Sequence, residues 1–147
     1  MPAEVPGTVH TDLKNASVIP DLFYGNNALD MNWIEAHDWT YQCSFELTEV
    51  QLHYDAIDLV FEGLDTYACV YINGAEILQA DNMFRTWRVS AKDHLHPGSN
   101  DLEVHFHSPV MRHLNASDSS GFVYPADNDA SKTAPFVRKA AYHYGWD

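Results

Sequence analysis

The sequence predicts an all-β domain, built as an antiparallel sandwich or barrel. Apolar and polar residues alternate with a period of two in several short segments, and turn-forming residues separate these segments. No segment has a helical period over a length sufficient for a crossover helix between parallel strands. With 147 residues and a hydrophobic content of 46%, the chain has the size and composition of one domain with its own core.

Five segments carry the strand pattern: residues 40–47, 56–64, 66–78, 84–90 and 100–110. The third contains Asn73 and Gly74, which tolerate positive φ, and so predicts a hairpin closed by a two-residue type I′ turn. Pro97 and Gly98 predict a turn before the fifth segment. Successive strands with turns between them favour a sandwich or barrel over an α/β fold.

The two ends of the chain differ from this pattern. The residues before the first strand have little periodicity, and a short helical turn over 11–16, capped by Thr11, is predicted within an ordered loop. Residues 112–135 form a long polar stretch. The final segment, 136–147, alternates like a strand and ends on the aromatic residues of YHYGWD. We expect an earlier strand to be missing and both ends to be cut.

Charge and cysteine content limit the possible partners. The formal net charge of −13, with 8 Lys and Arg residues, argues against nucleic acid and anionic membranes as partners. No stretch reaches the ~18 apolar residues of a membrane span, and the first ten residues lack signal-peptide features, so we expect a soluble chain. Cys43 and Cys69 fall on different strand faces, which predicts free thiols.

Most acidic residues fall on predicted exposed strand faces or turns, where solvated carboxylates are expected. Asp147 differs because it follows Trp146: an indole ring can stack on the C–H face of a sugar while a carboxylate accepts hydrogen bonds from its hydroxyls. No nucleophile elbow, phosphate-binding loop or dinucleotide-binding glycine motif occurs. The residues therefore give no support for nucleophilic catalysis.

The histidines raise the possibility of a metal site. His105 and His107 share one strand face, and His94 and His96 flank a neighbouring turn, so a surface pair could chelate an ion. The spacing specifies neither an acidic or thiol partner nor the outer hydrogen bonds that orient metal ligands. We therefore expect solvent-facing histidines, and no metal or cofactor.

Seven stretches closely resemble, in the same order from Val5 to Asp147, the N-terminal domain of β-mannosidases of glycoside hydrolase family 2. They are VPGTVHTDL, IPDLFYGNN, WIEAHDWTY, FEGLDTYACVYING, DNMFRTW, HSPV and FVRKAAYHYGWD. The resemblance implies a galactose-binding-like jelly-roll β-sandwich, with residues 1–147 as a single sugar-binding domain that lacks its first strand. In such enzymes, immunoglobulin-like domains and a (β/α)₈ barrel follow, and the barrel holds both catalytic glutamates.

The resemblance also assigns roles to residues. The family motif continues as Gly-Trp-Asp-Trp-Gly-Pro, so Trp146 and Asp147 are expected to help form the mannose subsite, in a composite site completed by C-terminal domains of the same protein. Asp65, Asn82 and Arg85 are expected to support the fold by satisfying loop backbone in buried polar-aromatic packing. The implied reaction is retaining hydrolysis of a terminal, non-reducing β-mannoside.

Three functional hypotheses follow. In the first, the chain is a catalytically silent fragment of a β-mannosidase, with no catalytic residue of its own. In the second, it is an independent carbohydrate-binding module without catalysis. In the third, it is a packing domain without ligand contact. Relatives occur in bacteria and in lysosomes, so the compartment is not predicted.

Overall fold

The computed structural model describes residues 1–113, 125, 129 and 132–144. These residues form six strands: β1 (Trp39–Leu47), β2 (Asp58–Phe61), β3 (Ala68–Ile72), β4 (Ala75–Ala80), β5 (Trp87–Ser90) and β6 (Gly98–Phe106). A four-stranded sheet has the order β1-β6-β3-β4, a two-stranded sheet pairs β2 with β5, and every pairing is antiparallel. The mostly β, antiparallel fold is thus confirmed, whereas the jelly-roll connectivity and the missing first strand stay predictions.

Short helices lie between and beside the strands. They are α1 (Val9–Asn15), α2 (Glu49–Leu52), a helical stretch over residues 109–113, and the 3-10 helices Asn27–Met31, Lys92–His94 and Ala141–Tyr144. Within the described ranges, none of the helices has the length and apolar character needed to cross a membrane.

Strand β6 lies between β1 and β3 and organises the larger sheet. Trp39 at the start of β1 and Ala68 at the start of β3 both pair with Phe106, so these three residues mark one end of the sheet. The inner face of β3 is fully buried at Val70 and Ile72. Burial of each such side chain contributes roughly 1.5–3 kcal/mol to folding.

The main core joins the two sheets. Phe61 of β2 and Trp87 of β5 pack against the buried cluster of the larger sheet. That cluster consists of Leu64, Ala68, Val70, Ala80 and Val104. The two sheets therefore share one hydrophobic layer, as expected for a sandwich.

The β3–β4 hairpin forms where Asn73 and Gly74 predict it. Both residues have positive φ, 49° and 81°, as a type I′ turn requires. The hairpin prediction is confirmed. Cys43 is exposed and Cys69 is half-buried, and both thiols are free, as predicted.

The N-terminal helix begins earlier than the sequence indicates. Thr8, not Thr11, caps α1: its hydroxyl accepts a hydrogen bond from the backbone N–H of Thr11 at 3.2 Å. Leu13 of this helix packs with Ile19 and Ile34 in a second buried cluster. The first forty residues are thus fixed to the sandwich by their own apolar contacts.

Two strand predictions in the second half are wrong, one at its C-terminal end and one throughout its described part. The fifth strand stops at Phe106, because Ser108 begins the helical stretch 109–113: its Oγ accepts from the N–H of Met111 at 3.1 Å. Pro109 suits the first helical position, where an N–H has no partner. In its described part, 136–144, the final segment forms no strand: Arg138 has an isolated bridge with Asn82, and Ala141–Tyr144 is a 3-10 helix.

Candidate functional site

The C-terminal segment, residues 132–144, docks on the end of the sandwich marked by Phe106. The hydroxyl of Tyr67, next to β3, donates to the carbonyl of Phe136 at 2.9 Å. The N–H of Met83, just after β4, donates to the carbonyl of Arg138 at 3.0 Å. The backbone that leads to Trp146 and Asp147 is therefore held by two loops at this end of the molecule.

Asp65 ties the same segment to the loop before β3. Its Oδ2 lies 2.6 Å from Lys139 Nζ and 3.5 Å from His143 Nδ1, and its Oδ1 accepts from the hydroxyl of Thr66. Partial burial and the nearby Lys139 charge lower the pKa of His143, and the Asp65 carboxylate opposes them. Asp65 thus contacts the segment at Lys139 and at His143, which lie seven and three positions before Trp146.

Asn82 and Arg85 lie in the loop after β4. The Asn82 side-chain oxygen accepts from the N–H of Phe84 at 2.9 Å, and Asn82 forms an isolated parallel bridge with Arg138. The Arg85 guanidinium stacks over the Trp87 ring at 4.2 Å. Asn82 is half-buried, whereas Arg85 is exposed, so its packing is at the surface and not within a core.

The structure brings only part of the expected site together. Asp65 and Asn82 both contact the C-terminal segment, and Arg85 lies in the same loop as Asn82. Trp146 and Asp147 lie outside the described residues. The sequence did not reveal that Lys139 is the partner of Asp65, because the two are 74 positions apart and no local pattern relates them.

Large apolar side chains are exposed near these loops and in the N-terminal region. Phe84 lies two residues after Asn82, and Phe23, with 97% of its surface accessible, is the most exposed of the set. Tyr24 and Leu29 are exposed in the same N-terminal stretch. A protein surface with several such residues is typical of contact with another protein surface.

A shallow groove lies at the opposite end of the sandwich. Its volume is about 300 Å³, and Glu49, Leu52, His53 and Pro97 line it. Its lining contains no phenylalanine, tyrosine or tryptophan ring on which a sugar could stack.

The histidine expectation needs a correction. His105 and His107 are not simply solvent-facing: both rings are partly buried and both contact Asp38, which precedes β1. Asp38 Oδ2 lies 3.2 Å from His105 Nε2 and 3.1 Å from His107 Nδ1. His94 and His96 lie before β6, at its other end, and take no part in this group.

Hydrogen bonds set the charge state of Asp38. Partial burial acts to raise the pKa of its carboxyl, but the N–H of Ser108 and the two imidazoles outweigh burial and lower it. The carboxylate is therefore held in its charged form. Asp38, His105 and His107 together offer three ligand atoms within 4.8 Å of one another.

Comparison with known proteins relates the whole chain to one family. The family described as "Glycosyl hydrolase 2 galactose-binding domain-like" matches residues 1–147. A beta-mannosidase of Capra hircus is 36% identical over 154 aligned positions that cover 100% of this chain. Beta-mannosidase B of Thermothelomyces thermophilus is 36% identical over 151 positions that cover 99% of it.

Solved structures agree with this relationship. The crystal structure of a beta-D-mannosidase from Dictyoglomus thermophilum superposes on 99% of the chain with a TM-score of 0.92 and 39% identity. An exo-chitosanase from Amycolatopsis orientalis, 19% identical with a TM-score of 0.64, shares the fold alone. The chain spans 17% of the length of the Capra hircus and Thermothelomyces thermophilus relatives and 18% of the Dictyoglomus thermophilum chain.

Proposed function

The chain belongs to the galactose-binding-like domain family of glycoside hydrolase 2, and from that premise we propose that it is the N-terminal domain of a β-mannosidase. In this proposal it lends Trp146 and Asp147 to the subsite for a terminal β-mannose. The domain supplies binding and orientation, while two glutamates in a barrel domain outside the 147 residues perform retaining hydrolysis.

The docking of the C-terminal segment is the observation that carries the proposal. A subsite residue must be held close to its productive position, and supporting contacts on rigid elements are what hold it there. The contacts of Tyr67 with Phe136, Met83 with Arg138 and Asp65 with Lys139 hold the chain seven to ten positions before Trp146. All three contacts come from loops at the ends of strands, so the sheets support the segment.

The chemistry of the two subsite residues follows from their side chains. The indole of Trp146 offers a flat apolar face for the C–H side of the mannose ring. The carboxylate of Asp147 accepts hydrogen bonds from sugar hydroxyls, and such charged hydrogen bonds are about twice as strong as neutral ones. Orientation of the sugar by these groups would raise the rate by fixing the anomeric carbon against the nucleophile.

The relatives extend well beyond the matched region, so further domains of the same protein are the expected partners. The exposed Phe23, Tyr24, Leu29 and Phe84 supply apolar surface for such contacts. Burial of this surface against a neighbouring domain would be favourable at about 25 cal/mol per Å².

The second hypothesis, an independent carbohydrate-binding module, has weaker support. Exposed Phe23 and Tyr24 could form a sugar platform. The shallow groove beside Pro97, however, offers no aromatic ring for stacking. A domain that only packs, without ligand contact, is separated from the first proposal by mutation of Trp146 in the complete enzyme.

Hydrolysis of a chromogenic β-mannoside tests the proposal. The 147-residue chain is compared with the longer protein that contains it, and activity is expected only in the longer protein. Activity in the 147-residue chain would place catalytic carboxylates within it and overturn the proposal.

Substitution in the longer enzyme tests the two subsite residues. Asp147→Ala should lower kcat/KM, since it removes one or two charged hydrogen bonds. The loss of transition-state stabilisation, calculated from the ratio of the kcat/KM values, should be on the order of 3–5 kcal/mol. Asp93→Asn, at an exposed acid within the 3-10 helix Lys92–His94, is the matched control and should leave the rate unchanged. Unchanged kinetics in Asp147→Ala and in Trp146→Ala would remove both residues from the site.

A further inference from the structure

Asp38, His105 and His107 form a compact group on the outer face of the larger sheet. Each side chain directs one potential ligand atom to the same point: Asp38 Oδ2, His105 Nε2 and His107 Nδ1. We propose that this group binds a divalent transition-metal ion of the zinc type. Two imidazoles and one carboxylate are a common donor set for such ions.

The distances between the ligand atoms fit a tetrahedral ion. Bonds of about 2.0–2.1 Å to nitrogen and oxygen place neighbouring ligand atoms of a tetrahedron about 3.3–3.4 Å apart. Asp38 Oδ2 lies 3.2 Å from His105 Nε2 and 3.1 Å from His107 Nδ1. These two distances need to lengthen by only a few tenths of an ångström, and His105 Nε2 and His107 Nδ1 lie within 4.8 Å of each other. Three protein ligands leave one position of a tetrahedral ion for water.

Each ligand is oriented by a hydrogen bond from its other polar atom. His105 Nδ1 lies 2.9 Å from Thr40 Oγ1, and His107 Nε2 lies 3.6 Å from Cys69 Sγ. Without an ion, the nitrogens that face Asp38 can donate to its carboxylate; in the metal-bound state the proton of each ring would instead lie on the nitrogen that faces Thr40 or Cys69, which leaves a lone pair for the ion. Such outer partners are characteristic of metal-binding histidines.

The carboxylate is oriented in the same way. Asp38 Oδ1 accepts from the N–H of Ser108 at 2.7 Å, which leaves Oδ2 directed at the two imidazoles. Neither the acid nor these outer hydrogen bonds could be predicted from the spacing of the histidines. All of them come from residues that the fold brings to the end of β6.

The sheet itself builds the site. His105 of β6 is paired with Thr40 of β1 on one side and with Cys69 of β3 on the other, so the three side chains form a row across the outer face. His107 is held by its own backbone, whose N–H donates to the carbonyl of Tyr67 at 2.9 Å. His105 thus lies on a strand paired on both sides, and Asp38 and His107 directly adjoin the ends of β1 and β6, so the sheet limits the movement of all three ligands.

A bound ion would clamp the start of β1 to the end of β6. Tyr67 connects this group to the docked C-terminal segment, since its carbonyl accepts from the N–H of His107 and its hydroxyl donates to the carbonyl of Phe136. The role assigned to the ion is structural, since it links elements that are distant in sequence. The high negative charge of the chain, −13, also favours a bound cation.

Metal titration of the 147-residue chain tests the proposal. After treatment with a chelator, the chain is titrated with Zn²⁺ by calorimetry and with Co²⁺ by visible absorption. We expect one strong site per chain, Co²⁺ d–d bands of tetrahedral intensity, and a higher Tm with Zn²⁺. Absence of these bands in the unmodified chain would overturn the proposal without the need for any variant.

Variants identify the ligands. The double variant His105→Gln, His107→Gln and the single variant Asp38→Asn should abolish the strong site, with circular dichroism used to confirm folding. The control His94→Gln, His96→Gln removes the same number of imidazoles at the other end of β6 and should bind as the unmodified chain does. Equal binding by the ligand variants and the control would overturn the proposal.

Two further measurements separate the ligands from their supports. Thr40→Val removes the partner of His105 Nδ1 and should weaken Zn²⁺ affinity roughly 10–100-fold without loss of the site. Cys69→Ser should retain the Co²⁺ d–d bands. A thiolate-to-cobalt charge-transfer band that disappears in Cys69→Ser would make the thiol a ligand and overturn the assigned ligand set.

Discussion

The side chain of Asn73 donates from Nδ2 to the side-chain oxygen of Asn100 at 2.9 Å, and this contact fastens the β3–β4 turn to the start of β6. Asn73 Nδ2 also donates to the carbonyl of His94, and its Oδ1 accepts from the N–H of Asp101. Asn73, which adopts the positive φ of the turn, therefore also links the β3–β4 hairpin to β6 through its side chain.

Asn100 is fully buried and its substitution should be costly. Its Oδ1 accepts from the N–H of His96 and from Asn73, and its Nδ2 donates to the carbonyls of His96 and Gly98. Asn100→Ala leaves several buried partners unsatisfied, and we expect a loss of roughly 2–4 kcal/mol in the free energy of unfolding. Urea denaturation checks this value.

Asn32→Ala is the matched control, because Asn32 is exposed. Its free energy of unfolding should change by less than about 0.5 kcal/mol. A similar small change in Asn100→Ala would contradict the role assigned to the buried carboxamide.

The Asp65–Lys139 ion pair should contribute to docking of the C-terminal segment. Only 31% and 23% of the two side chains are exposed, so solvent screens this pair less than a surface pair. A double-mutant cycle with Asp65→Asn and Lys139→Met should give a coupling energy of about 1 kcal/mol, measured by urea denaturation.

The more exposed pair Lys14–Asp21, at an N–O distance of 2.8 Å, is the control for this cycle. Its coupling should be clearly smaller, because both side chains are about half exposed and solvent screens their charges. Equal coupling in the two cycles would mean that partial burial adds nothing to the docking pair.

Tyr41 should make stability depend on alkaline pH. Burial and the hydrogen bond and charge of Asp12 raise the pKa of Tyr41 to about 12. An unfolded tyrosine has a pKa near 10, so between about pH 10 and 12 the unfolded chain loses this proton first. The contribution of Tyr41 is thus fully present below about pH 10 and is lost as the pH rises through the folded-state pKa.

Tyr41→Phe tests this contribution. The variant loses the 3.0 Å hydrogen bond to buried Asp12, and we expect a cost of about 1.5–3 kcal/mol at pH 8. Because the variant has no phenol at this position, its difference from the unmodified chain should shrink between pH 8 and pH 11. The free energies of unfolding of both proteins are measured by urea denaturation at pH 8 and pH 11. An equal difference between them at the two pH values would refute the raised pKa of Tyr41.

The N-terminal helix offers a test between the sequence-based cap and the observed one. Thr8→Ala removes the hydroxyl that accepts from the N–H of Thr11 and should cost about 1 kcal/mol in the free energy of unfolding. Thr11→Ala, at the position that the sequence favoured, should cost clearly less, because its hydroxyl makes only an exposed contact with Thr8. A larger loss of stability in Thr11→Ala than in Thr8→Ala, measured by thermal or urea denaturation, would identify Thr11 as the cap.

Local signals predicted most of the β structure. The alternation of residues 40–47 and the pair Asn73-Gly74 depend on the pleat and on allowed backbone angles, which neighbouring residues determine. The strand ends were less well predicted, because Ser108 and Pro109 favour a helix start within a segment that otherwise alternates. For Thr8 and Thr11 the same residue type stands at both candidate positions, so only the backbone geometry distinguishes them.

The sequence by itself determined the antiparallel β class, the hairpin turn and, through seven ordered motifs, the family. Only the tertiary structure shows that β6 lies between β1 and β3. It also shows that Asp65 pairs with Lys139, 74 positions away, and that Asp38 contacts His107, 69 positions away. It also decided that the final segment, which alternates like a strand, has one isolated bridge to Asn82 and turns into a 3-10 helix. The physical reason is range: side-chain period and turn angles are properties of adjacent residues, whereas contacts between distant residues depend on the order in which strands pair.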